Sequence, residues 1–320
     1  MKDYKPMDLK KVKTYPIKKR KNKVGIHDFA RVSRKGEGFS KFISSLPDIL
    51  AARDFREVAD AVVHAREQGR PVVMAMGAHV IKCGLSPVII HLIRKDVVTA
   101  VAMNGAGSIH DYEIALIGGS SEDVEEEIRT GRFGMVDETG RDIMDALSLG
   151  VPRGWGYGES LGRYILSKKP PHHQYSILSA SAKKKIPATV HAALGADIIH
   201  MHPAMDGALM GQASFTDFRL LCSVVADLGR GGVWMNIGSA VILPEVFLKA
   251  LSVARNLGHD VSDFVTVNLD MIQHYRPREN VVRRPTRQGG RGYALTGHHE
   301  IMIPLLARAI LEKLESSPKE

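Results

Sequence analysis

An α/β fold built on one mostly parallel sheet is what this 320-residue sequence predicts. Short apolar runs that end in glycine alternate with amphipathic segments of helical length. Several of those runs are apolar at successive positions, as strands covered on both faces are. No internal repeat or low-complexity linker divides the chain, so one domain from about residue 25 to 315 is expected.

The elements follow in order. FSKFISSLPDILAARDFREVADAVVHAREQGR carries apolar residues at three- and four-residue spacing up to Gly69, and reads as helix. PVVMAMGAHVI is a strand running into glycine, and LSPVIIHLIRKD a helix with Pro87 in its first turn. VVTAVAMNGAG is a second strand ending in small residues, and SIHDYEIALIGG the helix after it. Residues 118–175 break the alternation with acidic SSEDVEEEIRTGRFG and glycine- and aromatic-rich LGVPRGWGYGE; a helical excursion with a long loop is expected there. The pattern then resumes with helix YSILSASAKKK, strand IPATVHAALG, helix TDFRLLCSVVADLG and strand GGVWMNIGSAVI. Helix LPEVFLKALSVARNLG stops at a glycine, strand DFVTVNLDMI follows, and HEIMIPLLARAILEKLESS closes the chain as a helix. Strands separated by helices in this way make a doubly wound, Rossmann-like sheet with helices on both faces.

Charge is concentrated at one end. The formal net charge is +9, yet residues 1–24 hold ten Lys/Arg against Asp3 and Asp8, which leaves about +1 for the rest. That block reads as a solvated, mobile arm, with contact to an acidic partner or nucleic acid as its alternative. The body is not a nucleic-acid binder by charge. No apolar run is long enough to span a membrane, and the basic N-terminus lacks the apolar core of a secretory signal. Cys83 and Cys222 lie in apolar stretches, so buried free thiols in a reducing, cytoplasmic compartment are expected.

In open parallel sheets ligands bind beyond the carboxyl ends of the strands. The residues there are Gly77-Ala78-His79, Asn104-Gly105-Ala106-Gly107 with His110 and Asp111, and Asp197 with His200 and His202. Asn236 to Ser239 followed by Glu245, Asn268 with Asp270, and Gly297-His298-His299-Glu300 complete the set. Small residues let backbone N–H groups and helix N-termini approach phosphates. No turn matches GxGxxG, and tight strand–helix packing would explain any single one; recurrence at four strand ends points to a ligand. His200 and His202, two apart, would share one side of a strand, and with His298, His299, His110 and Asp111 could hold zinc. No spacing rule unites those segments, so polar pocket histidines and structural histidines stand beside the metal reading.

With that order laid out, the sequence resembles the deoxyhypusine synthase family from about residue 70 to 310. The resemblance rests on GAHVIKCGLSPVIIHLIRKDVVTAVAMNGAGSIHD, YSILSASAKKKIPATVHAALGAD, GSAV…KALSVARNLG and IMIPLLARAIL. It implies a Rossmann-like homotetrameric transferase with NAD between subunits. Such an enzyme oxidises spermidine by hydride transfer and carries the aminobutyl group on a lysine before passing it to a protein lysine. By this resemblance Gly77, Ala78, His79, Asn104, Gly105, Ala106, Gly107, the region from His191 to Asp197, Asn268, and Gly297 with His298 belong to the NAD site.

The substrate side departs from the family. Ile109 and His110 stand where a pair of glutamates is expected, with Asp111 keeping the next acid, and Glu245 stands near the place of a histidine. RRPTRQGGRG occupies the place of the lysine, and there is no lysine between Lys249 and Lys313. An imine-forming nucleophile must lose a proton, which arginine does not do. Arg283, Arg284, Arg287 and Arg291 suit a carboxylate or phosphate instead, or a solvated loop or subunit interface. The expectation is therefore an enzyme of this class using NAD on a small anionic molecule, without spermidine transfer. His110 and Asp111 are its expected acid–base pair, and Glu245, His298 and His299 further proton carriers. Gly238, Ser239, Arg283, Arg284 and Arg287 would hold the substrate. The alternatives are a metal-dependent hydrolase or lyase on the histidines, a non-catalytic dinucleotide-binding protein with the arm as a partner contact, and transfer chemistry kept through Lys82 or Lys249.

Overall fold

The computed structural model describes residues 2–316. Helices α1 (Phe39–Ser45) and α2 (Leu50–Glu67) lead to strand β1 (Val72–Met76), and α3 (His79–Lys82) and α4 (Ser86–Arg94) cross to β2 (Ala100–Asn104). Five helices separate β2 from β3 (Ala188–His191): α5 (Gly105–Ile117), α6 (Val124–Ile128), α7 (Asp137–Gly150), α8 (Tyr157–Lys168) and α9 (Ile177–Lys184). Helix α10 (Gly207–Ala226) precedes β4 (Val233–Ile237), and α11 (Ile242–Asn256) precedes β5 (Val265–Asp270). A short α12 (Tyr275–Pro277) and a π-helical turn (Arg278–Arg283) lead to β6 (Arg291–Thr296), and α13 (His299–Ser316) follows.

The six strands lie in the order β3-β2-β1-β4-β5-β6, every neighbouring pair parallel. The direction of winding therefore reverses between β1 and β4. Residues of β1 alternate between the faces: Val72, Met74 and Met76 pack towards α2, α4, α9 and α13, while Val73 and Ala75 pack towards α10 and α11. Trp234 of β4 stacks on Phe247 of α11 with ring centroids 4.2 Å apart. Helices cover both faces, which is why the strands inside the sheet are rich in apolar residues.

Three local features differ from the sequence reading. Residues 39–70 are two helices, because Pro47 lacks an N–H and disfavours helical backbone at Leu46. His200 and His202 lie in and just after a 3-10 turn (Ile198–Met201), not on a strand, so they share no strand face. The arginine- and glycine-rich stretch before the last helix contains the unforeseen strand β6, in which only Tyr293 and Leu295 are buried. One buried face is what an edge strand needs. Every residue from 2 to 24 is exposed.

Candidate functional site

The β1–β4 crossover is held by contact between backbones. Gly77 N–H donates to Ile237 O at 2.9 Å, and a Cβ on Gly77 would lie 2.1 Å from Gly238 O. Gly238 has φ 63°, and a Cβ there would meet His299 Cε1 at 2.7 Å. Glycine at both positions lets the strands close and seats His299 against the main chain.

His299 is the buried member of a histidine pair, at 3% exposure. Its Nε2 lies 3.3 Å from Leu269 O and 3.9 Å from Asp270 Oδ1. A carbonyl only accepts, so Nε2 is the donor in this contact. The exposed ring of His79 meets His299 edge-on, with centroids 5.8 Å apart. Asp270 accepts from Met271 N–H at 2.8 Å. One solvent-facing imidazole backed by a fixed imidazole and a carboxylate can hold and pass a proton. Val241, Met271, Ile272, Tyr275 and Ile301, close along the chain to these strand ends, expose apolar side chains. Such an apolar rim suits a ligand or another subunit.

Beneath this edge runs an amide network. Asn236 Nδ2 donates to Asn268 Oδ1 at 2.7 Å and to Ser239 O at 2.9 Å, Asn268 Nδ2 donates to Gln273 Oε1 at 2.7 Å, and Gln273 Nε2 reaches Leu295 O at 3.1 Å. It ties the ends of β4, β5 and β6 together, so Asn268 is committed inside the fold. Ser239 Oγ is engaged in accepting Leu243 N–H at the start of α11. Gln273 was missed because nothing near it in the chain marks its partners.

The turn after β2 is filled by the chain itself. Asn104 accepts Gly107 N–H at 3.0 Å, and the Asp197 carboxylate accepts the N–H groups of Ala193 at 3.0 Å and of Ala106. A Cβ on Gly105 would lie 2.1 Å from Asp197 Oδ2, so that glycine admits the carboxylate. Asp197 thus occupies the electropositive start of α5, where a phosphate was expected. Burial pushes its pKa up and the N–H bonds oppose that. Nearby His191 is pushed down to about 4 by burial and stays neutral.

His110 and Asp111 do not form the expected pair, because successive helical positions point apart. Asp111 is fully buried and accepts Ser176 Oγ at 2.5 Å, Ile177 N–H at 2.7 Å and Leu178 N–H at 3.2 Å, tying α5 to the start of α9. His110 turns to Ser120 and lies 3.7 Å from Glu113. Burial alone would raise the Glu113 pKa, but hydrogen bonds from His110 and Ser120 outweigh it and lower it.

Glu245 sits among Lys249, Arg276 and Asn280, and the Lys249 hydrogen bond leads in lowering its pKa. Arg283 is paired with Glu279 at 2.6 Å, and Arg284 with Asn280 Oδ1 at 2.7 Å, so both are engaged along the π turn. Arg287 lies on the approach to β6 and Arg291 is its first residue, both at the amino end of the sheet rather than beside His79. His298 is exposed and faces Glu300 at 3.9 Å. Gly297 lies close to Met302, which a Cβ would meet at 2.6 Å. His200 Nδ1 accepts Gly195 N–H at 3.2 Å, whereas His202 packs over Gly140 with Nε2 3.5 Å from Asp137. Among the described residues no three His, Cys, Asp or Glu side chains are grouped to hold a metal ion, and no helix is long and apolar enough to cross a membrane.

Strand order, parallel pairing and the crossover at β1–β4 define a doubly wound, Rossmann-like α/β protein. No family model and no curated protein matches the sequence. Solved structures do match the fold. A conserved LOR/SDH protein from Methanococcus maripaludis S2 aligns with TM-score 0.52 and 16% identity, over 84% of this chain and 71% of that one. A protein assigned as a deoxyhypusine synthase from Entamoeba histolytica aligns with TM-score 0.50 and 10% identity, over 87% and 94%. The longer cyanobacterial arginine dihydrolase ArgZ aligns with TM-score 0.48 and 15% identity over 82% of this chain, which spans 32% of it. The chain has a deoxyhypusine synthase-like fold, as the sequence resemblance implies.

Proposed function

We propose that this chain is a deoxyhypusine synthase-like enzyme that uses NAD, or a similar dinucleotide, on a small molecule without passing an aminobutyl group to a protein lysine. The observation that carries the reading is exposed His79 backed by buried His299 and Asp270 at the β1–β4 crossover. Crossovers of this kind are where doubly wound folds take dinucleotides. The residues fit the group at one turn and not at the other. At β1–β4 the spaces beside the paired glycines are taken by a main-chain carbonyl and the His299 imidazole rather than by a carboxylate, whereas at β2 the Asp197 carboxylate would repel a phosphate. Gly77, Ala78, His79 and Gly238 would therefore hold the cofactor, which supplies a hydride acceptor when bound. His79 would hold or give up the substrate proton, and His299, fixed by Leu269 O, would orient it.

The anion-binding role expected of Arg283 and Arg284 finds no support, since both are engaged elsewhere. Assembly into a homotetramer is part of the same proposal, and the apolar rim from Val241 to Ile301 supports a subunit contact there.

Calorimetric titration of the purified protein with NAD tests the reading. Binding with a dissociation constant of about 1 mM or tighter is expected, weakened at least tenfold in His79→Ala. No heat of binding at about 5 mM NAD would refute it.

A further inference from the structure

At the amino ends of β4, β5 and β6, opposite the His79 site, lies a cleft of about 380 Å³. Helix α2 supplies Glu57, Asp60 and His64 to one wall, and the strand side supplies Arg230, Asp263 and Arg291. Glu57 accepts the Tyr293 hydroxyl at 2.6 Å, and Asp60 pairs with Lys313 at 2.7 Å. Arg230, Asp263 and Arg291 form no ion pair or side-chain hydrogen bond among the described residues. Two guanidinium groups and a carboxylate thus share one concavity without neutralising one another.

The backbone around them is held in an uncommon form. Arg230 has φ 64°, followed by Gly231 at 103°, and Asp263 has φ 51°. The two turns are bound together by Arg230 N–H to Ser262 O at 3.0 Å and Gly231 N–H to Asp263 O at 2.7 Å. Aspartate tolerates the left-handed region through its short polar side chain, whereas arginine, like Leu50, Lys169 and Lys185 of this chain, is held there at a cost that glycine would not incur. An arginine kept at such a position presents its side chain at a conformational cost, which is a reason to look for a ligand.

We propose that this cleft binds a small zwitterion with a carboxylate at one end and an ammonium at the other. Arg230 and Arg291 take the carboxylate, a group that guanidinium forks match. Asp263, with Glu57 and Asp60 on the facing wall, takes the ammonium. Each sign of charge also rejects: the acids repel a dicarboxylate and the arginines repel a diamine, so selectivity for the mixed ion comes from both. Placed away from the His79 site, the cleft suits an effector rather than a reacting molecule. The inference does not rest on the proposed NAD chemistry.

The test uses the full chain with three probes of similar length: γ-aminobutyrate, succinate and putrescine, followed by calorimetry and thermal unfolding. γ-Aminobutyrate should bind at least about tenfold more tightly than either of the others and raise the unfolding temperature. Arg291→Ala and Asp263→Asn should each weaken it about tenfold or more. Arg230→Gly is the decisive variant. It should remove the ligand-induced shift while the free protein unfolds at the same or a higher temperature, because glycine relieves the left-handed backbone. The proposal is overturned if no probe binds at about 10 mM, if succinate or putrescine binds as well as γ-aminobutyrate, or if Arg230→Gly leaves binding unchanged.

Discussion

Asp217 offers a direct test of how burial and backbone donors divide a carboxylate between its two states. It lies fully buried on α10, where Oδ2 accepts Gly158 N–H at 2.8 Å and Val190 N–H at 2.7 Å, and Oδ1 has no partner. A Cβ on Gly156 would lie 1.8 Å from Oδ1, so the glycine makes the space. Burial pushes the pKa up to about 8, against the opposing N–H bonds. A folded-state pKa above the unfolded value of 3.8 gives a contribution that is full below about pH 4. It is lost progressively as pH rises to about 8, and is constant beyond. A shift of about four units corresponds to about 6 kcal/mol as a ceiling. Relaxation around a buried ion should leave on the order of 3 kcal/mol. Urea unfolding of the wild type and Asp217→Asn between pH 5 and 9 measures it. The wild type should lose stability relative to the amide variant as pH rises, by on the order of 2 kcal/mol across that range. Asp111, pushed up to about 6 mainly by burial, titrates in both proteins and cancels in the difference. Parallel pH profiles would refute the reasoning.

Other outcomes follow from the same geometry. Gly105→Ala should drive Asp197 from the start of α5 and destabilise by about 2 kcal/mol in chemical denaturation. An unchanged midpoint would mean that the carboxylate is not held there. Gly77→Ala sets a methyl against a main-chain oxygen that cannot swing away, so a loss of more than about 3 kcal/mol, seen as insoluble expression or a much lower unfolding temperature, is expected. Removing residues 2–24 should shift the unfolding temperature by less than about 1 °C, since every one of them is exposed; a drop of several degrees would contradict this.

Strands β1 to β5 were legible because burial on both faces writes short, apolar-rich runs into the chain. β6 was not, because an edge strand needs one apolar face and here shows only Tyr293 and Leu295 among arginine, glycine and threonine. The strand tips at Gly77–His79, Gly238 and His299 could be located from order alone, but the pairing of His79 with His299 depends on residues 220 positions apart. Asp111 looked like a proton carrier because its partners, Ser176, Ile177 and Leu178, lie far along the chain. The arginines misled for a related reason. An arginine-rich stretch reads the same whether its charges face a ligand or their own helix, and the π turn that engages Arg283 with Glu279 has no marked signature.

Asp197 also bears on how any anion would meet this protein. A carboxylate that the fold holds beside the first turn of α5 competes with dissolved anions as an intramolecular group, already in place and in hydrogen-bond contact. A phosphate arriving at that turn must outbid a rival that never diffuses away. Weak retention of free phosphate would then reflect occupancy rather than poor chemistry. Substitutions in the 192–206 segment that loosen this tether would sharpen anion capture without touching the anion.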